Sequence, residues 1–292
     1  MKRVGWIGVG RMGSRMSRRL LEQGYPLTVY DVNSENAAAL EKDGAKVAQT
    51  PKELAQKSDY VFSMIPNSAI LRTVLEQESG LLQVRGGYTL IDMSTLDPSN
   101  SLQFAEKLSA AGVGYLRAPV TGSTEYAEKG TLGVMVSGDK ALFDELLPLF
   151  KILGNRQTYL GDGEQARYMK ISINLMVGVT MQMLAEALVL GEKTGIAWES
   201  LIDMIADSAA AAPIVKFKTD ALKNRDFSPM STVRVAEKDL QLALDIAKEE
   251  GLSLPLTALT TQYYAAMRSN DLGDIDYSGI LLLNEKLNNL DK

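Results

Sequence analysis

The sequence predicts an α/β protein in two parts: an N-terminal doubly wound parallel sheet, and an all-α C-terminal domain joined to it by a long helix. Three observations lead to this prediction. Short apolar runs alternate with helical patterns over the first half of the chain. A glycine-rich turn follows the first apolar run. Beyond about Gly163 the strand pattern stops and only helical spacing continues.

The start of the chain has the pattern of a dinucleotide-binding unit. The apolar run RVGWIG leads into GVGRMG, where Gly8, Gly10 and Gly13 have G-x-G-x-x-G spacing, and a helical pattern follows. In this context Gly8 allows a tight turn, Gly10 lets the backbone approach a pyrophosphate, and Gly13 lets the helix pack on the strand. The helix N-terminus then faces the phosphates. Residues 1–162 are therefore predicted to form a Rossmann-type dinucleotide-binding domain.

The second predicted strand, PLTVYD, ends in Asp31, which bears on the choice of cofactor. A carboxylate at this point accepts hydrogen bonds from the adenosine ribose and repels a 2′-phosphate. No arginine stands at positions 32–34 to neutralise such a phosphate. The sequence therefore favours NAD over NADP. The alternative is that Asp31 merely ends a strand.

The alternation of strands and helices continues beyond Asp31. Further strands are predicted at residues 59–66, 88–95, 113–120 and 132–138. Ligands of doubly wound sheets bind at the carboxyl ends of strands, and Pro66, Asn67 and Thr95 fall at two such ends. Ordinary loop chemistry would account for the same residue types.

The C-terminal half, residues 163–292, is predicted to be an all-helical domain for substrate binding and dimerisation. Residues 164–193 contain no proline and repeat apolar residues at helical spacing, which predicts one long helix. Met176, Met181 and Met183 are interpreted as core residues of this helix. Further helices are predicted near residues 197–207, 231–250 and 255–269.

Composition narrows the function classes. The chain has no cysteine and no histidine, which excludes disulfides and thiolate chemistry and makes a metal site unexpected. A formal net charge of −5 with interleaved signs disfavours nucleic acid as a partner. We expect no leader segment and no apolar run that approaches the length of a membrane span. We therefore expect a cytoplasmic protein without metal, nucleic-acid or membrane partners.

A lysine is the main candidate for acid–base chemistry. A dehydrogenase must move a proton as well as a hydride, and without histidine or cysteine the candidates are Lys, Tyr, Asp and Glu. Lys170 follows a glycine-rich turn and precedes Asn174 by one helical turn, so both project from one helix face. The alternative is a solvated face, which is usual for lysine. Lys238 and Asp239, on a later amphipathic pattern, would by themselves be surface charges.

Four motifs, taken together, resemble the β-hydroxyacid dehydrogenase family, which includes 3-hydroxyisobutyrate dehydrogenases and tartronate semialdehyde reductases. The resemblance covers essentially the whole chain, with the motifs in the family's order. They are IGVGRMGSRM (7–16), APVTGSTEYAEKGTL (118–132), GDGEQARYMKISIN (161–174) and KDLQLAL (238–244).

The resemblance implies an oxidoreductase that moves a hydride between a nicotinamide cofactor and a small anionic 3-hydroxyacid or its semialdehyde. Lys170 would be the general acid/base, and Asn174 would hydrogen-bond the substrate. Thr121, Gly122 and Ser123 would bind the substrate carboxylate. The implied cofactor-binding residues are Gly8, Gly10, Arg11, Met12, Gly13, Asp31, Asn33, Ile65, Pro66, Asn67, Thr95 and Lys238.

Lys238 has a second implied role, which is to close the site near both nicotinamide and substrate. The chain also departs from the family's usual pattern. Arg117 stands where an aspartate is usual, and Thr121-Gly122-Ser123 stands where Ser-Gly-Gly is more common. Arg117 would either add an anion contact or point into solvent. These departures leave the substrate and the physiological direction open.

Two alternative functions and the assembly state complete the expectations. An imine reductase or reductive aminase would share the architecture, but its usual sequences replace the lysine. A non-catalytic NAD-binding module would be expected to lose the lysine as well. Retention of Lys170 therefore favours a dehydrogenase. The amphipathic helices of the second half lead us to expect a homodimer or homotetramer.

Overall fold

The structure, a computed structural model, describes residues 1–290. The chain forms two compact units, Met1–Lys170 and Ile171–Lys292. This division falls inside the long helix, whereas the boundary expected from the sequence, 162/163, lies before it.

A sheet of nine strands forms the centre of the first unit, among the described residues. The strands are β1 Val4–Ile7, β2 Leu27–Tyr30, β3 Lys46–Val47, β4 Tyr60–Ser63, β5 Thr89–Asp92, β6 Gly114–Arg117, β7 Val120–Thr121, β8 Leu132–Gly138 and β9 Gly154–Tyr159. Strands β3-β2-β1-β4-β5-β6 lie side by side and run parallel, which is the doubly wound order. Strand β8 then pairs antiparallel with β6. The predicted Rossmann-type sheet is confirmed.

Helices connect the strands of the first unit. They are α1 Gly13–Glu22, α2 Ser34–Lys42, α3 Pro51–Gln56, α4 Ser68–Glu76, α5 Pro98–Ala110, α6 Thr124–Lys129 and α7 Lys140–Leu153. Their starts are encoded locally. Thr50 and Asp97 accept hydrogen bonds from the first turns of α3 and α5, and each helix has proline at its first position, where no N–H is needed.

The central strands are buried along their whole length, as expected for a parallel sheet covered on both faces. Two apolar clusters contribute this cover. In one of them Trp6 of β1 stacks on Phe62 of β4 with ring centroids 5.1 Å apart. The rigid core fixes the positions at which the strands end, and those ends carry the predicted ligand-binding residues.

The second unit is helical, as predicted. It contains most of α8 Gln165–Lys193, and then α9 Trp198–Asp207, α10 Pro213–Lys223, α11 Val233–Glu249, α12 Pro255–Ser269 and α13 Ile280–Leu287. Helix α8 supplies Met181, Leu184 and Leu188 to its core. Helices α10 and α13 were not predicted. Helix α10 begins at Pro213, which occupies the first helical position, where proline is favoured.

The interpretation of the α8 methionines is partly wrong. Met181 is buried, but the side chains of Met176 and Met183 are 66% and 57% exposed. With Leu190, which is 68% exposed, they recur every seven residues and so lie on one face of the helix. Helix α8 therefore has two apolar faces, of which one packs inside the second unit and the other is open to solvent.

The same helix corrects the expectation about apolar runs. By length and composition α8 could cross a membrane, since an 18-residue window of it has a mean hydropathy of 1.7. The core helix of a soluble protein meets the same criterion, and α8 contributes to the core of the second unit.

Candidate active site at the carboxyl edge of the sheet

The glycine turn after β1 has the geometry that the sequence predicts. Gly8 has φ +82°, and a Cβ there would lie 2.3 Å from the carbonyl oxygen of Met64. A Cβ on Gly13 would lie 1.9 Å from the carbonyl oxygen of Gly8, so only glycine lets α1 start this close to the strand. A Cβ on Gly10 would meet nothing within 4 Å, which leaves the backbone there open to a ligand.

The N-terminus of α1 suits an anion. Its cap residue, Met12, makes no side-chain hydrogen bond to the helix, and no acidic residue stands in the first turn. The first backbone N–H groups of a helix lack partners within the helix and carry the positive end of its dipole. The glycine turn and this helix start therefore fit the pyrophosphate of a dinucleotide.

Asp31 follows β2 and is held by the backbone on both sides. Val9 N–H donates to Oδ2 and Asn33 N–H donates to Oδ1, each over 2.8 Å. A carboxylate oxygen accepts more than one hydrogen bond, so Asp31 keeps the capacity to bind ribose hydroxyls. Because both oxygens are anchored, the charge has a fixed position beside the glycine turn.

The other predicted cofactor residues lie in the loops that follow β1, β2, β4 and β5. Asn33 and Asn67 are cap residues, whose side-chain oxygens accept from the N–H groups of Glu35 and Ile70. The helices that they cap therefore orient these two side chains. Arg11 and Met12 directly precede α1, Ile65 and Pro66 follow β4, and Thr95 follows β5.

A buried carboxylate, Asp92 at the end of β5, joins two of these loops. Its Oδ1 accepts from Ser63 Oγ over 2.6 Å and from Ser94 Oγ over 2.8 Å. Ser94 Oγ in turn accepts from the N–H of Ile65 over 2.9 Å. The loop after β4 is thus tied to the end of β5 by groups that are shielded from water.

The second oxygen of Asp92 binds Arg167, in the first turn of α8. Arg167 Nη2 donates to Asp92 Oδ2 over 2.7 Å and to the hydroxyl of Tyr115 over 2.6 Å, and Nη1 donates to the carbonyl oxygen of Ser94 over 3.1 Å. Both charged side chains are essentially fully buried. Burial lowers the pKa of Arg167, but its electrostatic interactions with Tyr115, Asp92 and Glu164 raise the pKa by a larger amount. The net pKa lies above the ordinary value, so the guanidinium stays charged.

The structure contradicts one of the two alternatives for Arg117, which is that it points into solvent. It is buried at the end of β6, where its Nε donates to Glu164 Oε1 over 2.7 Å. Its guanidinium also lies over the ring of Tyr115, 4.6 Å from the centroid. Arg117 therefore does not point into solvent, and within the protein its charge is paired with Glu164.

The predicted substrate loop follows β7, which ends at Thr121. Gly122 has φ +125°, and a Cβ there would lie 2.8 Å from the side chain of Leu132, so glycine is required. The hydroxyl of Ser123 is buried and has no hydrogen-bond partner within the described residues. A buried hydroxyl without a partner is costly, and a substrate oxygen would satisfy it. This observation supports a binding role for Ser123.

In the second unit, Asn174 and Lys238 meet on one carboxylate. Asn174 Nδ2 donates to Asp239 Oδ2 over 2.6 Å, and Lys238 Nζ lies 2.8 Å from Asp239 Oδ1. Asp239 is buried, so the interpretation of this Lys-Asp pair as surface charge is wrong for the aspartate. Lys170 lies one turn before Asn174 on α8 and is half-buried.

The sequence reasoning missed three buried ionic residues, Asp92, Arg167 and Asp239. A signal for Asp92 was available, because buried strands β4, β5 and β6 all end in a polar residue. Ser63, Asp92 and Arg117 occupy matching positions on these three neighbouring strands. The described part of the chain has no cluster of three or more acidic side chains that could hold a metal ion.

Two family models match the chain. Residues 3–161 match the NAD binding domain of 6-phosphogluconate dehydrogenase. Residues 164–283 match the model described as NAD-binding of NADP-dependent 3-hydroxyisobutyrate dehydrogenase. Together the two matches cover the glycine turn, the strand ends and the long helix.

Three known proteins are similar over nearly the full chain. Glyoxylate/succinic semialdehyde reductase 1 of Arabidopsis thaliana is 34% identical, covering 95% of this chain and 96% of its own. 2-(Hydroxymethyl)glutarate dehydrogenase of Eubacterium barkeri is also 34% identical, covering 98% and 95%. The crystal structure of 3-hydroxyisobutyrate dehydrogenase from Salmonella typhimurium has a TM-score of 0.89 at 27% identity, covering 97% and 100%.

Proposed function

Because the chain belongs to the β-hydroxyacid dehydrogenase family, we propose that it interconverts a small anionic hydroxyacid and the matching aldehyde, with Lys170 as general acid/base. The class of enzyme is an NAD(P)-dependent oxidoreductase that acts on hydroxyacids or semialdehydes. The observation that carries the proposal is the carboxyl edge of the sheet, where the open backbone at Gly10 and the anchored charge of Asp31 fit a dinucleotide.

The protein's own task is to move the proton. In oxidation, the neutral amine of Lys170 accepts the proton of the substrate hydroxyl. In reduction, its ammonium form donates a proton to the carbonyl oxygen. The nicotinamide supplies or accepts the hydride when it is bound. With no histidine or cysteine in the chain, a lysine is a suitable acid/base for this step, because its ammonium both donates a proton and attracts the developing oxyanion.

The substrate's carboxylate requires donors. We assign this role to Ser123, whose buried hydroxyl has no partner in the described residues, together with Thr121 and the backbone of Gly122. The roles that the family resemblance implies for Asn174 and Lys238 stay predictions; within the second unit, Asp239 orients both side chains. The two relatives are named for glyoxylate, succinic semialdehyde and 2-(hydroxymethyl)glutarate, which carry a carboxylate together with an aldehyde or a hydroxyl and so agree with this donor set.

Substitution of Lys170 tests the acid/base assignment. Lys170→Ala should lower kcat by about 10²–10⁴-fold, because it removes the proton donor and acceptor of the chemical step. Binding of reduced cofactor, followed by quenching of tryptophan fluorescence, should change less than twofold. Lys193→Ala is the matched control, since Lys193 lies at the other end of the same helix and is bound to the carbonyl oxygen of Asn288. Equal kcat values for the two variants would refute the assignment.

We propose NAD rather than NADP as the cofactor. The carboxylate of Asp31 is fixed by two backbone N–H groups, so it cannot turn away from a 2′-phosphate. Positions 32–34 offer no arginine as a counter-charge. Repulsion at a fixed carboxylate is the usual basis of NAD preference in this fold.

Asp31→Asn tests the cofactor preference more sharply than Asp31→Ala, which removes the whole carboxyl group. Asparagine keeps one oxygen, so it keeps one of the two backbone hydrogen bonds, and it removes the charge that repels a 2′-phosphate. The ratio of the dissociation constants for NADPH and NADH should fall about tenfold or more, measured by titration at fixed ionic strength. Asp31→Ala should weaken NADH binding in addition. A ratio that stays the same in Asp31→Asn would show that the charge does not set the preference.

We further propose that two copies of the chain associate through the exposed face of α8. Met176, Met183 and Leu190 form an apolar stripe with seven-residue spacing, which is the repeat that lets helices pack against each other. A second copy of the same helix presents a matching stripe. A closed dimer would remove these side chains from water.

Sedimentation velocity tests the association. The wild type should sediment as a dimer or larger at micromolar concentration, and Met183→Glu should shift it towards the monomer because a charge would be buried in the contact. Circular dichroism should confirm that helix content is unchanged. A monomeric wild type, or an unaltered sedimentation coefficient for Met183→Glu, would contradict the proposal.

The imine reductase alternative is less favoured by the residues present. Lys170 is suited to protonating an oxygen. The hydrogen-bond donors that the Thr121–Ser123 loop offers to a substrate carboxylate would have no such group to bind in a neutral imine.

The cytoplasmic location expected from the sequence stays a prediction.

A further inference from the structure

The buried pair of Arg167 and Asp92 connects the two parts of the first unit that the reaction must bring together. Asp92 Oδ1 reaches the loop after β4 through Ser94 Oγ and the N–H of Ile65. Asp92 Oδ2 reaches the first turn of α8 through Arg167. One carboxylate is therefore shared between the loop predicted to line the nicotinamide and the helix that carries Lys170.

We propose that Arg167 is a positioning residue, whose pair with Asp92 fixes the start of α8, and hence the backbone of Lys170, relative to the loop at residues 65–67. The inference rests on the function proposed above for Lys170. It adds a residue that touches neither substrate nor cofactor and acts through the acid/base.

The geometry around Arg167 specifies one arrangement. Its guanidinium donates to a carboxylate, a carbonyl oxygen and a phenol hydroxyl, which are contributed by β5, by the loop after β5 and by β6. A planar guanidinium satisfies three acceptors only in one orientation. Because the side chain is 1% exposed, water cannot substitute for a lost acceptor. A shift of α8 would therefore break several charge-assisted hydrogen bonds at once.

Two further contacts hold the chain at the start of α8. Glu164 binds Arg117 at the end of β6, and the N–H of Ala166 donates to Ser137 Oγ of β8 over 3.2 Å. Three successive strands of the sheet thus hold residues 164–167. Lys170 follows Arg167 by three residues on a regular helix, a rise of about 4.5 Å, so fixing Arg167 fixes the Lys170 backbone.

Stability alone does not account for such a pair. The desolvation of two buried charges can outweigh their attraction, and apolar residues of similar volume often stabilise a fold as well or better. Apolar residues, however, would not fix one orientation of the helix relative to the sheet, as directional hydrogen bonds do. Small errors of position, of order 1 Å, can slow a reaction by about 10²-fold. A positioning role explains why ionic groups, rather than apolar ones, occupy this interface between sheet and helix.

Arg167→Lys is the primary test, because it keeps the charge and removes the planar fork. In this variant kcat should fall about 10–100-fold while the dissociation constant of NADH changes less than twofold. The matched control is Arg225→Lys, which makes the same change at the paired Arg225 and Glu285 of the second unit. This control should lower the melting temperature without lowering kcat.

A double-mutant comparison separates positioning from general damage. If Arg167 acts through Lys170, then Arg167→Lys in a Lys170→Ala background should lower the residual kcat less than twofold. If the two losses multiply, Arg167 acts independently of Lys170 and the proposal is wrong. Loss of activity in Lys170→Ala but not in Arg167→Lys would overturn this inference and leave the proposed function intact. No loss in Lys170→Ala would overturn both.

A measurement on the protein alone, without substrate or cofactor, completes the test. In the protein alone, amide hydrogen exchange of peptides covering residues 164–171 should be faster in Arg167→Lys than in wild type, because this segment loses its hydrogen bonds to Asp92 and Tyr115. Residues 64–68 keep their link to Asp92 through Ser94 and should change less. Asp92→Asn should give the same pattern if Arg167→Lys does not fold, since asparagine still accepts from Ser63 and Ser94. Unchanged exchange at residues 164–171 would contradict the positioning role of Arg167.

Discussion

The interaction on which the carboxyl edge of the sheet depends is the buried ion pair between Asp92 and Arg167. Both groups lie in the protein interior, where an unpaired charge would be very unfavourable. Asp92 accepts from Arg167 and from two serine hydroxyls, and Arg167 also donates to the hydroxyl of Tyr115. The loops after β4 and β5 and the first turn of α8 are all bound to this pair. Removing one partner would leave a buried charge, so the whole edge depends on both.

The dinucleotide turn follows a different physical rule. There the contacts are made by backbone, and the side chains matter mainly by their absence. Gly8 and Gly13 are required because a Cβ would collide with carbonyl oxygens, whereas Gly10 is surrounded by open space. The first unit thus combines a glycine turn, whose backbone is open to a ligand, with a buried ion pair that holds the neighbouring loops in place.

Features encoded by short stretches of the sequence could be predicted, whereas contacts between residues far apart in the chain could not. The glycine spacing, Asp31 and the long α8 helix follow from short stretches of chain, and they were predicted. Asp92 and Arg167 are 75 residues apart, so no local pattern reveals their pairing. The burial of Arg117 was not predicted for the same reason, because its partner Glu164 lies 47 residues away. The exposed face of α8 escaped prediction because both of its faces are apolar.

The proposed reaction is tested most directly by absorbance at the reduced-nicotinamide band, with small aldehyde acids and the matching 3-hydroxyacids offered one at a time with NADH or NAD. We expect turnover with at least one compound that carries a carboxylate, and none with the same compound after the carboxylate is converted to an amide. Turnover that is indifferent to the carboxylate, or none on any member by a protein that binds NADH, would contradict it.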